Sequence, residues 1–73
     1  FAEDPSVSST VNINTADAAT LSASLKGVGS SKAQAIVTYR DNYGPFKSIE
    51  ELTAVRGIGD SLLAKNKDNI LLE

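Results

Sequence analysis

The sequence contains no cysteine and no histidine. Without cysteine there is no disulfide framework and no thiolate metal site, and cysteine usage says nothing about the redox compartment. Without histidine the chain lacks the commonest metal ligand and the commonest general base of enzymes. These two absences remove the key residue of most catalytic schemes.

Aromatic residues are also scarce, with no Trp, two Tyr and two Phe among 73 residues. A chain of this length holds one domain at most, near the lower size at which folding needs no disulfide, metal or partner. Because 41% of the residues are hydrophobic and few are aromatic, the core must consist mainly of Leu, Ile, Val and Ala. We expect a small core packed between helices.

Long apolar runs are absent too. No stretch approaches the roughly 20 residues that span a bilayer, so we expect no membrane insertion of this chain. Residues 1–10 have neither the basic start nor the apolar stretch of a signal peptide. A mature form whose signal had been removed would look the same.

The formal net charge of −2 argues at first against a nucleic-acid partner, because such domains are usually basic. Three of the nine acidic residues, however, lie near the ends of the chain: Glu3, Asp4 and Glu73. The rest of the chain has seven basic and six acidic residues, so its net charge is close to zero. The position of the charges therefore matters more than their sum.

Composition divides the chain into two parts. Residues 1–10 combine acidic residues, a proline and a Ser/Thr cluster, which is typical of a flexible leader. Residues 11–73 are predicted to form the domain. No stretch there alternates polar and apolar residues as a strand would, so the predicted fold class is all-α, with four short helices and three tight connections.

The helix boundaries follow from capping signals and apolar spacing. The polar run Asn12–Thr15 is suited to capping, and a first helix should follow it from about Ala16 to Ser24. The second helix should open after Gly29 and end at Gly44-Pro45. The remaining signals predict a third helix at the Ser48/Glu51 capping box, burying Ile49, Leu52 and Val55, and a fourth after Gly59, burying Leu62 and Leu63.

An internal repeat is the sharpest feature. Leu25-Lys26-Gly27-Val28-Gly29 returns thirty residues later as Val55-Arg56-Gly57-Ile58-Gly59, each time between two predicted helices. In each copy the first glycine can end a helix, the aliphatic residue can anchor the turn in the core, and the second glycine leaves room for a ligand. The N–H groups of the helix that follows lack partners and can bind an anion such as a DNA phosphate.

A single Gly-x-Gly between helices is usually a simple tight turn, but two copies, each preceded by a basic residue, favour phosphate binding. Lys32 is the strongest side-chain candidate. A cation in the first turn of a helix opposes the helix dipole, so a bound phosphate explains its placement better than helix stability does. For Lys26 and Arg56, a solvated charge at a helix end is an equally good explanation. Lys65 and Lys67 are better explained as part of a solvated face. The candidate DNA-binding residues are Lys26, Gly27, Val28, Gly29, Ser30, Ser31, Lys32, Arg56, Gly57, Ile58, Gly59 and Ser61.

Asp60 distinguishes the two copies. It follows Gly59 directly and would repel a phosphate, although it could instead cap the fourth helix. We therefore expect the first hairpin to contribute more to binding than the second. Tyr39, Tyr43 and Phe46 are expected to anchor the core or a loop, since duplex DNA offers no unstacked bases, and Arg40 to bind a neighbouring carbonyl or carboxylate.

Together these residues resemble the ComEA family of DNA receptors of natural transformation, especially its short Gram-negative forms. The resemblance covers about Val11 to Ile70. It is carried by Val11–Ala16, Lys26–Gly29 with Lys32–Val37 and Tyr39-Arg40, Tyr43–Ser48, and Gly57–Gly59. Family members often carry Lys two residues after the second hairpin glycine, where this chain has Ser31 and Ser61.

The resemblance implies a tandem helix-hairpin-helix, SAM-like domain that binds double-stranded DNA regardless of sequence. It also implies residence in the periplasm and a role in DNA uptake, with proteins of the uptake machinery as further partners. No metal or cofactor is expected, although the residues do not decide whether a monovalent cation sits on hairpin carbonyls, as in other helix-hairpin-helix proteins.

Two other classes of function compete with DNA binding. A small helical module that docks onto another protein is the main alternative, and a large exposed apolar area would favour it. An enzyme is the third, because helix-hairpin-helix motifs occur in DNA glycosylases and ligases. Such enzymes need a pocket for a flipped base or a nucleotide, for which this chain has too few residues and no recognisable catalytic pair. We therefore expect no catalysis.

Overall fold

The structure is a computed structural model that describes residues 10–72. The leader predicted for residues 1–10 thus lies outside the described residues, apart from Thr10. The elements in order are β1 (Val11–Asn12), α1 (Ala18–Ser24), α2 (Ser30–Tyr43), the 3-10 helix η1 (Ile49–Ala54), α3 (Asp60–Asn66), the 3-10 turn η2 (Lys67–Asn69) and β2 (Ile70–Leu71). The predicted mostly helical fold with four helices is confirmed.

Helix α1 begins two residues later than predicted, because Asp17 and not the Asn12–Thr15 run supplies its cap. The Asp17 carboxylate accepts a hydrogen bond from the Thr20 N–H at 2.8 Å, which satisfies one of the partnerless donors at the helix start. That bond, followed by the more distant Arg40 charge, lowers the pKa of Asp17 below its ordinary value. Asn12 instead closes a local turn by accepting from the Asn14 N–H at 2.9 Å.

Helix α2 has the predicted bounds, since it starts after Gly29 and ends at Gly44, where φ is +93°. A side chain is strained in that conformation, so glycine ends the helix at little cost. The predicted cap of the next helix is also present: the Ser48 hydroxyl accepts from the Glu51 N–H at 3.2 Å. The Glu51 carboxylate reaches back to the Lys47 N–H at 2.8 Å, one residue before the expected partner.

Two differences from prediction concern local geometry. The third helix is a 3-10 helix, not an α-helix. A two-residue parallel strand pair, with Val11 opposite Ile70 and Asn12 opposite Leu71, joins the two ends of the described chain. Strands of two residues show no alternation that a sequence pattern could reveal. The pairing therefore becomes visible only once the helices bring the ends together.

One apolar core holds the two halves of the domain together. Ile13, Leu21 and Ile36 are the largest fully buried side chains, and Leu52 from the second half packs in the same cluster. Among residues 10–72 the buried apolar side chains are Val11, Ile13, Leu21, Leu25, Val28, Ala33, Ile36, Phe46, Leu52, Val55, Ile58 and Ile70. No helix within residues 10–72 has the length and apolar character to cross a membrane.

Candidate functional site

The two Gly-x-Gly turns have the same backbone geometry, as the sequence repeat predicts. The residues that end the preceding helices, Leu25 and Val55, are extended with ψ of 135° and 134°. The first glycine of each turn is left-handed, with φ of +75° at Gly27 and +91° at Gly57. Only glycine adopts this conformation without strain, which explains its presence at both positions.

The second glycines have a different physical reason. Gly29 and Gly59 are extended, with φ of −83° and −109°, and any residue could adopt that backbone. A Cβ built on either would meet no atom within 4 Å. Both positions are exposed, so the missing side chain leaves the protein surface bare directly before a helix start.

Between the glycines, Val28 and Ile58 are buried as predicted, with 5% and 6% of their surface exposed. They fix each turn to the core. Gly27 adds a further contact, because a Cβ there would lie 2.7 Å from Leu62 Cδ2. Since a carbon atom cannot approach that closely, the first turn packs tightly against α3, a helix of the second half.

Helix α2 presents unpaired donors at its start. Its cap residue, Gly29, has no side chain to accept from them, and the first hydrogen bond of the helix runs from the Ala33 N–H to the Gly29 carbonyl at 2.9 Å. The N–H groups of Ser30, Ser31 and Lys32 thus have no partner within the helix. With the helix dipole they form a local positive potential beside the bare surface at Gly29.

Lys32 extends from α2 to the second turn. Its chain lies over Gly57, where a Cβ would be 3.2 Å from Lys32 Cε and 3.3 Å from Lys32 Cγ. The side chain is half-buried rather than free in solvent. The structure therefore places the strongest predicted cation between the two hairpins, in contact with both halves of the site.

Lys26 and Arg56 occupy equivalent exposed positions before their glycines. The backbone of Lys26 is held by a residue that the sequence analysis missed, Asn66 of α3, which is 2% exposed. Its amide oxygen accepts from the Lys26 N–H at 2.7 Å, and its amide nitrogen donates to the Lys26 and Leu62 carbonyls, each at 2.9 Å. The available signal was a polar residue thirty positions after the buried Ile36, where an extension of the repeat would place an apolar one.

The second hairpin is flanked by negative charge. Asp60 is the first residue of α3, and the cap position before it is Gly59, with no side-chain capping hydrogen bond, so the alternative that Asp60 caps the helix does not apply. It lines a groove of about 380 Å³ whose other charged residues are Glu50, Asp68 and Lys67. These carboxylates oppose a phosphate near Gly59, whereas the exposed Ser61 hydroxyl adds no charge.

The aromatic residues form a row of three rings. Phe46 is 2% exposed, and the half-buried Tyr39 stacks on it with centroids 5.1 Å apart. Partial burial and the nearby Glu51 carboxylate, which accepts from the Tyr39 hydroxyl at 3.3 Å, raise the pKa of Tyr39. Anchoring is confirmed for these two residues but is wrong for Tyr43, which is 73% exposed and has its ring centroid 4.6 Å from that of Tyr39.

Arg40 has the structural role predicted for it, because its Nη1 donates to the Ile13 carbonyl at 2.8 Å. The only large apolar side chains that are exposed among residues 10–72 are Tyr43 and Leu71. In the same part of the chain no three acidic, His or Cys side chains are grouped so that they could hold a metal ion. The hairpins and the start of α2 thus form the most distinctive polar surface of the domain.

Known proteins contain segments that are similar to this sequence. The family described as helix-hairpin-helix motif matches residues 6–71. An uncharacterized protein of Haemophilus influenzae is 49% identical over 65 residues, which are 89% of this chain and 58% of that protein. ComE operon protein 1 of Bacillus subtilis is 46% identical over 63 residues, 86% of this chain and 30% of that protein.

A third relative belongs to a different protein class by name. Endonuclease/exonuclease/phosphatase family domain-containing protein 1 of Mus musculus is 40% identical over 63 residues, which are 86% of this chain but 11% of that protein. The chain thus spans a little over half of the first of these relatives and much smaller parts of the others.

Proposed function

The chain belongs to the helix-hairpin-helix family and is homologous to ComE operon protein 1, and from this we propose that it binds the phosphate backbone of double-stranded DNA without reading the base sequence. The observation that carries the proposal is the start of α2, where unpaired N–H groups lie beside the bare Gly29 on the helix whose Lys32 side chain extends to Gly57. Phosphate contacts of this kind position a protein on DNA and carry no direct sequence information.

At the first hairpin a phosphate oxygen would accept hydrogen bonds from the N–H groups of Ser30 to Lys32. The absence of a side chain at Gly29 lets the DNA backbone approach that closely. Lys32 supplies a positive charge. Among the described residues no carboxylate lies within hydrogen-bonding distance of its ammonium group. Lys26, exposed just before the turn, can reach the neighbouring phosphate of the same strand.

The second hairpin contributes less in this proposal. Its turn has the same shape, and Arg56 occupies the position of Lys26. The helix that follows is shorter, however, and starts with Asp60 and not with a neutral residue. The second hairpin would therefore engage its strand mainly through Arg56 and the backbone near Gly57 and Gly59, with Asp60 weakening the contact.

We propose no enzymatic activity for this chain. The matching segment is a small part of the relative that is named for endonucleases, exonucleases and phosphatases, so that name carries no activity over to this domain. Among the described residues the site consists of backbone donors and basic side chains, to which we assign the binding of phosphate alone.

The similarity to ComE operon protein 1 supports a role in competence. We propose that the protein acts there as a periplasmic receptor for incoming DNA, and that further proteins of the uptake machinery are its partners. Contacts that ignore base sequence suit this task, because imported DNA can have any sequence.

The test is a titration of fluorescent duplexes of equal length and unrelated sequence at several salt concentrations. The logarithm of the association constant should fall with the logarithm of salt at a slope of about −0.9 for each phosphate engaged, with equal affinity for all sequences. The variant with both Gly29→Leu and Gly59→Leu should fold, because both backbones are extended and open, but should lose binding.

Gly29→Ser separates loss of binding from loss of fold. Serine is a preferred cap, so its hydroxyl should stabilise α2 by a few tenths of a kcal/mol while it occupies the N–H groups that we assign to the phosphate. Stability that rises while DNA affinity falls supports the proposal. Absence of binding by the unmodified chain at low salt would overturn it in favour of a protein-docking module.

A further inference from the structure

A second groove runs along α2, away from the acidic groove. It lies between this helix and the second hairpin and has a volume of about 430 Å³, within the range of about 300–1,000 Å³ that is usual for small-ligand sites. This groove, here named the α2 groove, is lined by the polar and aromatic residues Ser31, Gln34, Thr38, Tyr39, Asn42, Tyr43 and Arg56 and by the apolar Ala35 and Val55.

One end of the α2 groove coincides with the proposed phosphate site. Ser31 belongs to the first turn of α2, next to the first hairpin, and Arg56 immediately precedes the glycine of the second hairpin. From Ser31 to Tyr43 the helix rises by about 18 Å. A DNA strand that leaves the hairpins would therefore find a continuous path along the helix.

The other end offers an aromatic face. Tyr43 is 73% exposed, yet it is supported from behind by Tyr39, with ring centroids 4.6 Å apart. Tyr39 is itself fixed by stacking on the buried Phe46 and by its hydrogen bond to Glu51. An exposed ring that is held in place loses little freedom when a planar group stacks on it.

The lining between the two ends suits a nucleotide. Asn42 carries an amide that can donate to and accept from a base edge. The Gln34 amide nitrogen donates to the Thr38 hydroxyl at 3.4 Å, and the Gln34 amide oxygen can accept from a base. Arg56 is the charged residue of the lining and is positive, in contrast to the carboxylates of the other groove. Stacking, hydrogen bonding and one cation are the means by which proteins bind unpaired strands.

We propose that the α2 groove binds the first unpaired nucleotides of a single-stranded DNA end, with a base stacked on Tyr43 and a phosphate on Arg56. The direction in which the strand runs depends on the proposed function, because it assumes that the duplex contacts the hairpins. The stacking of a base on Tyr43 does not depend on that contact. The protein would then favour duplexes with frayed or overhanging ends over blunt ones.

The experiment compares a blunt duplex with the same duplex carrying a three-nucleotide thymidine overhang, for the unmodified chain and two variants. Because stacking of one base contributes a large factor, the overhang should increase affinity about tenfold. Tyr43→Phe should keep this gain because it keeps the ring. Tyr43→Leu should lose the gain and leave the affinity for the blunt duplex unchanged.

A direct readout is available because the sequence has no Trp and two tyrosines, Tyr39 and Tyr43. Quenching of tyrosine emission by a short thymidine strand is expected, and it would support stacking even if the blunt duplex failed to bind and the hairpin proposal fell. Equal affinity for blunt and overhanging duplexes, or an overhang gain that persists in Tyr43→Leu, would overturn the proposal. Circular dichroism verifies that both variants fold.

Discussion

The side chain of Lys32 rests on the backbone of Gly57, so the helix that follows the first hairpin and the turn of the second hairpin are in direct contact. A Cβ at Gly57 would lie 3.2 Å from Lys32 Cε, which is closer than carbon atoms normally pack. Gly57 therefore has two tasks. It allows the left-handed turn at φ of +91°, and its missing side chain leaves the space in which the Lys32 side chain lies between the two hairpins.

Gly57→Ala should reduce both stability and DNA affinity. The left-handed backbone should lower the free energy of unfolding by about 1–2 kcal/mol. The added methyl group should displace Lys32 and weaken DNA binding about fivefold, as expected when one charge-assisted contact is impaired. Urea unfolding and duplex titration measure the two effects.

Gly44→Ala is the matched control for this change. Gly44 has nearly the same φ, +93°, but a Cβ there would meet nothing within 4 Å. Because ψ of 176° places Gly44 in a region that essentially only glycine adopts, the substitution should cost at least as much stability but leave DNA affinity unchanged. An equal loss of affinity in both variants would show that backbone strain, and not the position of Lys32, controls binding.

Asp60→Ser should tighten DNA binding. Asp60 makes no capping hydrogen bond, so its loss removes a charge beside Gly59 without removing a structural contact. We expect affinity to rise about threefold at low salt and less at high salt, because salt screens exposed charges. Glu50→Gln, which removes a charge from the same groove but from η1, should have a smaller effect. Unchanged affinity in Asp60→Ser would refute the asymmetry of the two hairpins.

Asn66→Ala should destabilise the domain and weaken the first hairpin. The Asn66 amide binds both the N–H and the carbonyl of Lys26, and its removal leaves these groups unsatisfied in a partly buried place. We expect a loss of about 2–3 kcal/mol in the free energy of unfolding. The exposed Asn42 provides the control, since Asn42→Ala should leave stability unchanged. Hydrogen exchange should show a faster Lys26 amide in Asn66→Ala, and exchange unchanged there would contradict this assignment.

Asp17 should make part of the stability depend on pH. Its folded-state pKa is lowered from 3.8 by the hydrogen bond from the Thr20 N–H, so its ionised form contributes stability above the unfolded pKa. That contribution is lost as the pH falls through the lower folded pKa. Thermal unfolding of the unmodified chain and of Asp17→Asn, which keeps a capping oxygen, should therefore differ at pH 7, and the difference should shrink as the pH falls below the ordinary pKa of 3.8. A constant difference across this range would exclude Asp17 as the source.

Features set by neighbouring residues in sequence were predictable. The bounds of α2 follow from Gly29 and Gly44, the left-handed turns at Gly27 and Gly57 follow from the repeat, and the cap at Ser48 follows from its spacing to Glu51. Each of these depends on local backbone preferences that operate within a few residues.

Features that depend on how the two halves pack were not predictable in the same way. The Asn66 bridge to Lys26 spans forty residues, and the seat of Lys32 on Gly57 requires the relative placement of two helices. The exposure of Tyr43 depends on which side of Tyr39 faces Phe46. A linear pattern contains residue types and spacings but not the angle at which two helical units meet.

The short parallel pair of β1 and β2 has a consequence for how such a domain is carried by larger proteins. With Val11 beside Ile70, the polypeptide enters and leaves the domain about 5 Å apart, the separation of neighbouring strands. A unit with adjacent entry and exit points can be inserted into a surface loop of a host without spreading that loop. Its two hairpins would then be added to another architecture as a self-contained attachment.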